Sequence, residues 1–482
     1  MTDQEFHELE ELELHQADLN KSRQLLKEDR RNRSLLRSCI YELGSPSYIQ
    51  KMGLFVTLVC LYNEQLELFI KLKELASNEE RLAIHHLLID FEIEKGWQAD
   101  KSDDSLQKID LFNDVLTYLS PLRRLSDAIQ FIYTQKLKGR IYSTLVAIIS
   151  ADHKLFEFQM FDFDTEELII DLMEAYGFKP DLTFRDSAAG CGISANRLTA
   201  GGATNKGRVI LEEQNPDLCL LAKKLAYLDN PHNRPACFTH NALLGDYPNS
   251  VEQADFYVTF PKIPHPLNHV ERNARPSFLV IPHTGELSRN ASDALWVQHA
   301  LSAIKEGGMA FITVQDGFLR RPGYDHSLRQ YLIENRLVEA VITLNESHAK
   351  TSQYNSVSLI ILNKEPKQLE ETVRFFDIRH VNPHNFANAL EDSSLSKVYL
   401  MDGFSYECFV EIGEILDIRF DVSYKDLIKN NYSLLLQDYK KDENRGEVIS
   451  VTEETEAYQL SLKQLESASE IFEKICVAAS KK

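Results

Sequence analysis

Asp186-Ser187-Ala188-Ala189-Gly190-Cys191-Gly192 places a carboxylate and two glycines directly after a short β-prone run, Leu182 to Asp186. Glycine at 190 and 192 lets backbone N–H groups approach a ligand without Cβ interference. In open α/β sheets ligands bind beyond the carboxyl ends of the strands, where this turn would lie. The next β-prone run, Arg208 to Glu213, ends in a second acid, Glu212 or Glu213. A carboxylate there can accept hydrogen bonds from ribose hydroxyls. The pair points to a nucleoside-type ligand, with a dinucleotide site or a purely structural turn as alternatives.

Other chemistry is sparse. His265, His269 and His283 lie in one stretch with Glu271, but their spacing matches no zinc motif, and a surface loop accounts for them. Cys191 could be a reactive thiol in the turn or a small packing residue. The seven cysteines are scattered without a CxxC pair, which argues against a zinc ribbon or a disulfide framework and for a reducing, cytoplasmic compartment. No metal site is expected.

The elements that must position the turn read as three zones. Residues 1–150 form a helical N-terminal domain, with helical periodicity through EQLELFIKLKEL and DVLTYLSPLRRLSDAI. Within it, Met52 to Tyr62 is too short an apolar run to span a bilayer and reads as a buried helix. A basic run from Lys21 to Arg37 is either a solvated helix face or a phosphate-contacting one. Residues 151–365 alternate β-rich runs with helical patterns, which argues for a mostly parallel sheet covered on both faces. Its last two runs, Val338 to Leu344 and Ser356 to Lys364, have only a loop between them and fit an antiparallel edge hairpin. Residues 366–482 are mixed and close on an amphipathic pattern, Tyr458 to Ile475, that can fold back or dock on a partner.

With 482 residues the chain should hold two to four domains. A hydrophobic content of 43% and a charged content of 26% exclude a wholly disordered chain. The acidic start has no apolar core of the signal-peptide kind, and no membrane association is expected. A net charge of −20 lowers the expectation of strong independent DNA binding and leaves room for a basic, DNA-reading partner.

The DxAxGxG spacing resembles the S-adenosylmethionine turn of adenine-N6 DNA methyltransferases. Phe163-Asp164-Thr165 is similar to the family segment that closes over the cofactor's methionine end, and Glu212-Glu213-Gln214-Asn215-Pro216 to the segment carrying its ribose acid, here Glu213. The stretch from Ser292 to Arg321 and the runs after it follow in the family's order. Phe420 to Leu434 resembles a tail typical of the modification subunit of type I restriction-modification systems. The resemblance implies an α/β fold: a Rossmann-like S-adenosylmethionine-dependent methyltransferase domain with a helical N-terminal domain and a helical C-terminal tail. It implies Thr165, Asp186, Ala188, Gly190, Gly192, Glu213 and Asn241 as cofactor-binding positions, with Asn241 and Ser187 replacing the family's Asp and Pro.

The family's (N/D)-P-P-(Y/F) tetrad falls on Phe260-Pro261-Lys262-Ile263. In the family the polar first residue and the first Pro carbonyl orient the target amine, and the aromatic stacks on the flipped base. Phe cannot accept a hydrogen bond and Ile stacks poorly. Loss of such acceptors costs about 3–4 kcal/mol. Asn268 and Asn273 lie downstream, neither followed by Pro-Pro-aromatic. The resemblance therefore implies a catalytically impaired homologue that serves a restriction-modification or defence system as a scaffold. Its DNA contact would come through a complex with a specificity subunit or another subunit. The alternative is a working S-adenosylmethionine-dependent methyltransferase on DNA adenine or another substrate.

Overall fold

The computed structural model describes residues 33–43, 47–97, 122–135, 141–152, 169–170, 172–173, 176–179, 181–199, 208–232, 234–245, 252–263, 265–344, 357–365, 371–379 and 418–440. Thr165, with the Asp164–Glu167 segment, most of the basic run and the amphipathic pattern after Tyr458 lie outside them. The division of the chain places Met1–Leu436 in one unit, and the description that follows is of that unit.

The helical zone begins with α1 (Tyr48–Glu64), α2 (Leu66–Ser77) and α3 (Arg81–Glu94), followed by α4 (Leu122–Gln135) and α5 (Ile141–Ala151). α1 is apolar almost all round, and such a helix must be enclosed on every side; Met52, Phe55, Val56, Leu58, Val59 and Leu61 are all buried. α2 shows a one-sided pattern, with Phe69 and Leu72 buried and Leu66 and Ile70 exposed.

The sheet is built from β1 (Phe184–Asp186), β2 (Val209–Glu213), β3 (Ala236–Thr239), β4 (Ala254–Thr259), β5 (Ile304–Gln315), β6 (Val338–Thr343), β7 (Val357–Asn363), β8 (Thr372–Asp377) and β9 (Arg419–Ser423). Between them lie α6 (Ile193–Leu198), α7 (Pro216–Asp229), α8 (His269–Asn273), α9 (Ser292–Ala303), α10 (Asp316–Arg320) and α11 (Tyr324–Glu334), and α12 (Tyr424–Lys429) follows β9. The order across the sheet is β3-β2-β1-β4-β5-β7-β6-β8-β9. Strands β1 to β5 run parallel, and β7 runs antiparallel to both β5 and β6.

Two sequence expectations change here. The β6–β7 pair is antiparallel as expected, but it is not an edge: β7 is inserted between β5 and β6, and every residue of it is buried. The sheet also continues past residue 365, because β8 joins β6 in parallel and β9 closes the edge antiparallel to β8.

The first core joins the helical zone to the sheet's helices. Leu58, Phe69 and Ile129 belong to the same apolar cluster as Cys191, Ile193, Leu218, Leu221 and Leu225 from the Gly-rich turn, α6 and α7. A buried ion pair crosses the same seam: Lys224 Nζ of α7 lies 2.6 Å from Glu92 Oε1 of α3, which also accepts from Thr57 Oγ1 at 2.7 Å. A second core, on Leu172, Met173, Phe256, Phe311 and Ile361, also contains Phe260 and Ile263. The segment after β9 is held by the buried Arg329 of α11, whose Nε donates to the Tyr432 carbonyl over 2.9 Å. Among the described residues no helix is long and apolar enough to cross a membrane.

Candidate functional site at the carboxyl ends of the strands

The Gly-rich turn follows β1 directly, with Gly190 at φ 54° and Gly192 at φ 72°, a region that favours glycine. At Gly192 the need is steric as well as conformational: a Cβ there would meet Leu211 Cδ1 and Ala222 Cβ at 3.1 Å. Gly190 N donates to Glu213 Oε2 over 2.9 Å, and Glu213 Oε1 accepts from Asn215 N over 2.8 Å. Both glycines thus serve the turn's own packing and its tie to β2, not only the approach of a ligand. Burial raises the Glu213 carboxyl despite these backbone hydrogen bonds.

Asp186 lies beneath the turn. Its Oδ1 accepts from Ala188 N at 3.0 Å and from Thr259 Oγ1 at 2.8 Å. Burial pushes its carboxyl up to about 7, against the pull of those two donors. Thr259, the last residue of β4, also accepts from Ser187 N at 2.9 Å. A proline at 187 could not make that bond, so serine there is part of how this chain ties β1 to β4.

The two adjacent acids of β2 separate. Glu213 reaches the cleft, whereas Glu212 is wholly buried and pairs with Arg185, with Nε–Oε2 at 2.7 Å and Nη2–Oε1 at 2.9 Å. The Ser187 hydroxyl also donates to Glu212, and His240 Nε2 lies 3.0 Å from it. Burial alone would raise the Glu212 carboxyl; His240 and Arg185 outweigh it and hold it near about 2. Alternation of side chains along a strand accounts for the split.

A pocket opens over these strand ends, and Ser187, Ala188, Glu213, Leu218, Asn241, Phe260, Lys262 and His265 are among the residues that line it. The structure therefore brings Ala188, Glu213, Asn241, Phe260 and Lys262 together, with Asp186, Gly190 and Gly192 in the adjoining turn. Asn241 is committed: its side chain accepts from Leu243 N at 3.0 Å and donates to Glu271 Oε1 at 2.8 Å. Glu271 is buried; the His265 imidazole 3.6 Å away and hydrogen bonds from Asn241 and Asn268 N overcome that burial and bring it to about 2. Trp296 and Gln214 also line the pocket, and no spacing in the sequence signalled them; His265 stood out in the sequence only as part of the histidine stretch.

At the tetrad positions Phe260, Pro261 and Ile263 are buried and Lys262 is exposed. Phe260 is only 5% exposed and Ile263 only 4%. The downstream asparagines have other work. Asn268 caps α8 in a reciprocal box with Glu271, and Asn273 Nδ2 donates to the His269 carbonyl at 2.9 Å. Cys191 is buried and its thiol pushed far up by that burial, in keeping with the packing role. Among the described residues no group of three or more His, Cys, Asp or Glu side chains is placed to hold a metal ion.

A sheet ordered β3-β2-β1-β4-β5-β7-β6 with only β7 reversed in that run, carrying its pocket across the carboxyl ends of β1, β2 and β4, is the Rossmann-like methyltransferase fold. One solved structure that shares the fold is the methyltransferase subunit of a type I restriction-modification system from Streptococcus thermophilus. It is 16% identical, with a TM-score of 0.52, covering 80% of this chain and 83% of that one. In sequence, 168 residues are 25% identical to the type I restriction enzyme MpnII methylase subunit of Mycoplasma pneumoniae. That match covers 35% of this chain and spans only 30% of the relative's length. The N-6 DNA methylase family model matches residues 167–447, more than half of the chain. The chain belongs to the N-6 DNA methylase family.

Proposed function

We propose that the chain is a modification-subunit-like member of its family that keeps the S-adenosylmethionine cleft but has lost the grip on the target amine. It acts in a restriction-modification or defence system as a DNA-associated or partner-binding scaffold, with base reading left to another subunit. The observation that carries this reading is Phe260. It occupies the position after β4, buried in the apolar core and lining the pocket, where an amine-orienting acceptor would have to stand.

The residues present fit the cofactor. Glu213 presents a carboxylate to the pocket for ribose hydroxyls, and Leu218, Ala242 and Leu243 supply an apolar wall for a purine. Asp186, which anchors the turn beside the pocket through Ala188 N, and Thr165 are assigned to the cofactor by family resemblance. S-adenosylmethionine, when bound, supplies an activated methyl group. This chain's part is to hold the nucleoside through Glu213 and to face the pocket with Phe260, which cannot align an exocyclic amine; Ile263 stays in the core behind it. Lys262 adds a cation at the rim, which gives an adenine no acceptor for its amine hydrogens.

Calorimetric titration with S-adenosylmethionine tests the cleft, and incubation with labelled cofactor and mixed DNA tests transfer. Saturable binding without adenine labelling is expected. Robust labelling of adenine would instead make the chain a working methyltransferase through an altered pocket, and failure to bind up to millimolar cofactor would remove the cleft from the reading.

A further inference from the structure

A second pocket lies away from the strand-end cleft, where the end of α3, the last turns of α7 and the edge strand β3 meet. Lys95, Trp97, Lys223, Tyr227, Arg234 and Phe238 line it, and among the described residues no carboxylate does. In a chain of net charge −20 this concentration of cations is a local exception. Lys95 is already used: its Nζ lies 2.7 Å from Glu64 Oε2 and 3.1 Å from Glu94 Oε1. Lys223 and Arg234 form no ion pair with any described residue, so no described carboxylate neutralises either charge at the pocket.

The aromatic side divides in the same way. Trp97 and Tyr227 are buried and meet edge to face, with ring centroids 5.3 Å apart. They make a fixed floor. Phe238 is half-buried on the edge strand and makes no ring contact with another described residue. An aromatic surface beside uncommitted Lys and Arg groups matches a ligand that is flat at one end and doubly anionic at the other. Arginine grips phosphate oxygens through its fork of donors, lysine neutralises them as a point charge, and a base stacks on an aromatic face.

We propose that this pocket binds a free nucleotide, with Lys223 and Arg234 on the phosphate and Phe238 against the base. The site is separate from the strand-end cleft and does not depend on the reading given to that cleft.

The chain has two tryptophans, and only Trp97 lines this pocket. Full-length protein carrying Trp296→Phe therefore reports on it by fluorescence. Titration with adenosine 5′-monophosphate should change Trp97 emission saturably at submillimolar concentration. Adenosine without phosphate, and the Lys223→Ala/Arg234→Ala double variant, should each bind about tenfold or more weakly, the loss expected for charge-assisted hydrogen bonds. Phe238→Ala should weaken binding of the nucleotide more than that of inorganic phosphate. Glu213→Ala, in the other pocket, should leave the titration unchanged. The proposal is overturned by absence of saturation up to several millimolar, equal affinity for adenosine, or wild-type affinity in the double variant. It is equally overturned by loss of binding in Glu213→Ala alone, or by binding of a single-stranded oligonucleotide with none of the mononucleotide.

Discussion

The hydroxyl of Thr259, at the end of β4, donates to Asp186 Oδ1, at the end of β1, across 2.8 Å. It is one of two donors on a carboxyl that burial raises to about 7 from an ordinary 3.8. The sign of the consequence is fixed. Between about pH 4 and 7 the native chain keeps a proton that the unfolded chain has lost, so this group's contribution to stability is full below pH 3.8 and is lost as pH rises through 7. The loss can reach about 4 kcal/mol as an upper bound. Asp186→Asn should flatten the stability curve between pH 4 and 8 and unfold at higher urea than the native chain at pH 8. Asp293 and Asp325 are also raised, to about 7 and 6, and act in the same window, so the difference between the two curves is the quantity to read.

Lys224 and Glu92 tie the helical zone to α7 in a setting where both side chains are almost wholly buried. Removing one partner strands a charge in an apolar seam, which costs about 3–5 kcal/mol. Lys224→Met should lower the urea midpoint sharply. The double change Lys224→Met with Glu92→Leu should recover most of it, because no unpaired charge remains. A double-mutant cycle in urea checks both statements.

Much of the sheet was legible because β2, β5 and β7 read as short apolar runs between turn signals, and α7 and α9 as helical stretches between them. β3 was not. Its four residues follow Arg234-Pro235, none is fully buried, and Ala236 to Phe238 is too short an apolar run to stand out. The place of β7 was hidden for another reason: its neighbours are chosen by pairing between distant segments. Its apolar run from Leu359 to Leu362 did carry a signal, since a strand buried on both faces fits an interior position better than an edge. At the site, spacing alone narrowed the acid of β2 to two neighbours, the family resemblance pointed to Glu213, and strand alternation turns that one to the pocket and buries Glu212. Asn241 does line the pocket, but its commitment to Glu271 was hidden, because nothing in the spacing joins residue 241 to the short helix that carries 271.

In the proposed reading Glu213 holds both the turn and a nucleoside. Glu213→Ala removes acceptors from Gly190 N and Asn215 N along with the carboxylate facing the pocket. Affinity for S-adenosylmethionine should fall by about ten- to a hundredfold, the range for losing charge-assisted hydrogen bonds. Calorimetry measures it, and circular dichroism separates a local loosening of the turn from loss of the fold.

The tetrad positions allow a gain-of-function test. Phe260→Asn, Lys262→Pro and Ile263→Phe together would return an acceptor, a second proline and a stacking ring to the end of β4. If these changes are all that methylation lacks, labelled methyl transfer to adenine should rise by about a hundredfold or more over the native chain. Phe260→Asn alone should destabilise the fold, because it places an amide in an apolar core. Thermal melting checks that cost separately from activity.

Arg329 is the residue on which the tail after β9 depends. It is only 1% exposed, and its guanidinium donates to the carbonyls of Tyr432 at 2.9 Å and Arg321 at 3.0 Å. The tail bonds back a second time through Leu434 N, which donates to the Leu319 carbonyl at 2.8 Å. Leu434 itself is buried. Arg329→Leu keeps much of the apolar stem but leaves these carbonyls without a donor, at about 1–3 kcal/mol for each buried group. The turn at Asn431 and Tyr432, both at positive φ, would then lose the contact that holds it. Trypsin should cut the variant at Lys425 or Lys429 well before it opens the central sheet. Equal resistance in the native and variant chains would show that Leu434 and β9 hold the tail without the arginine.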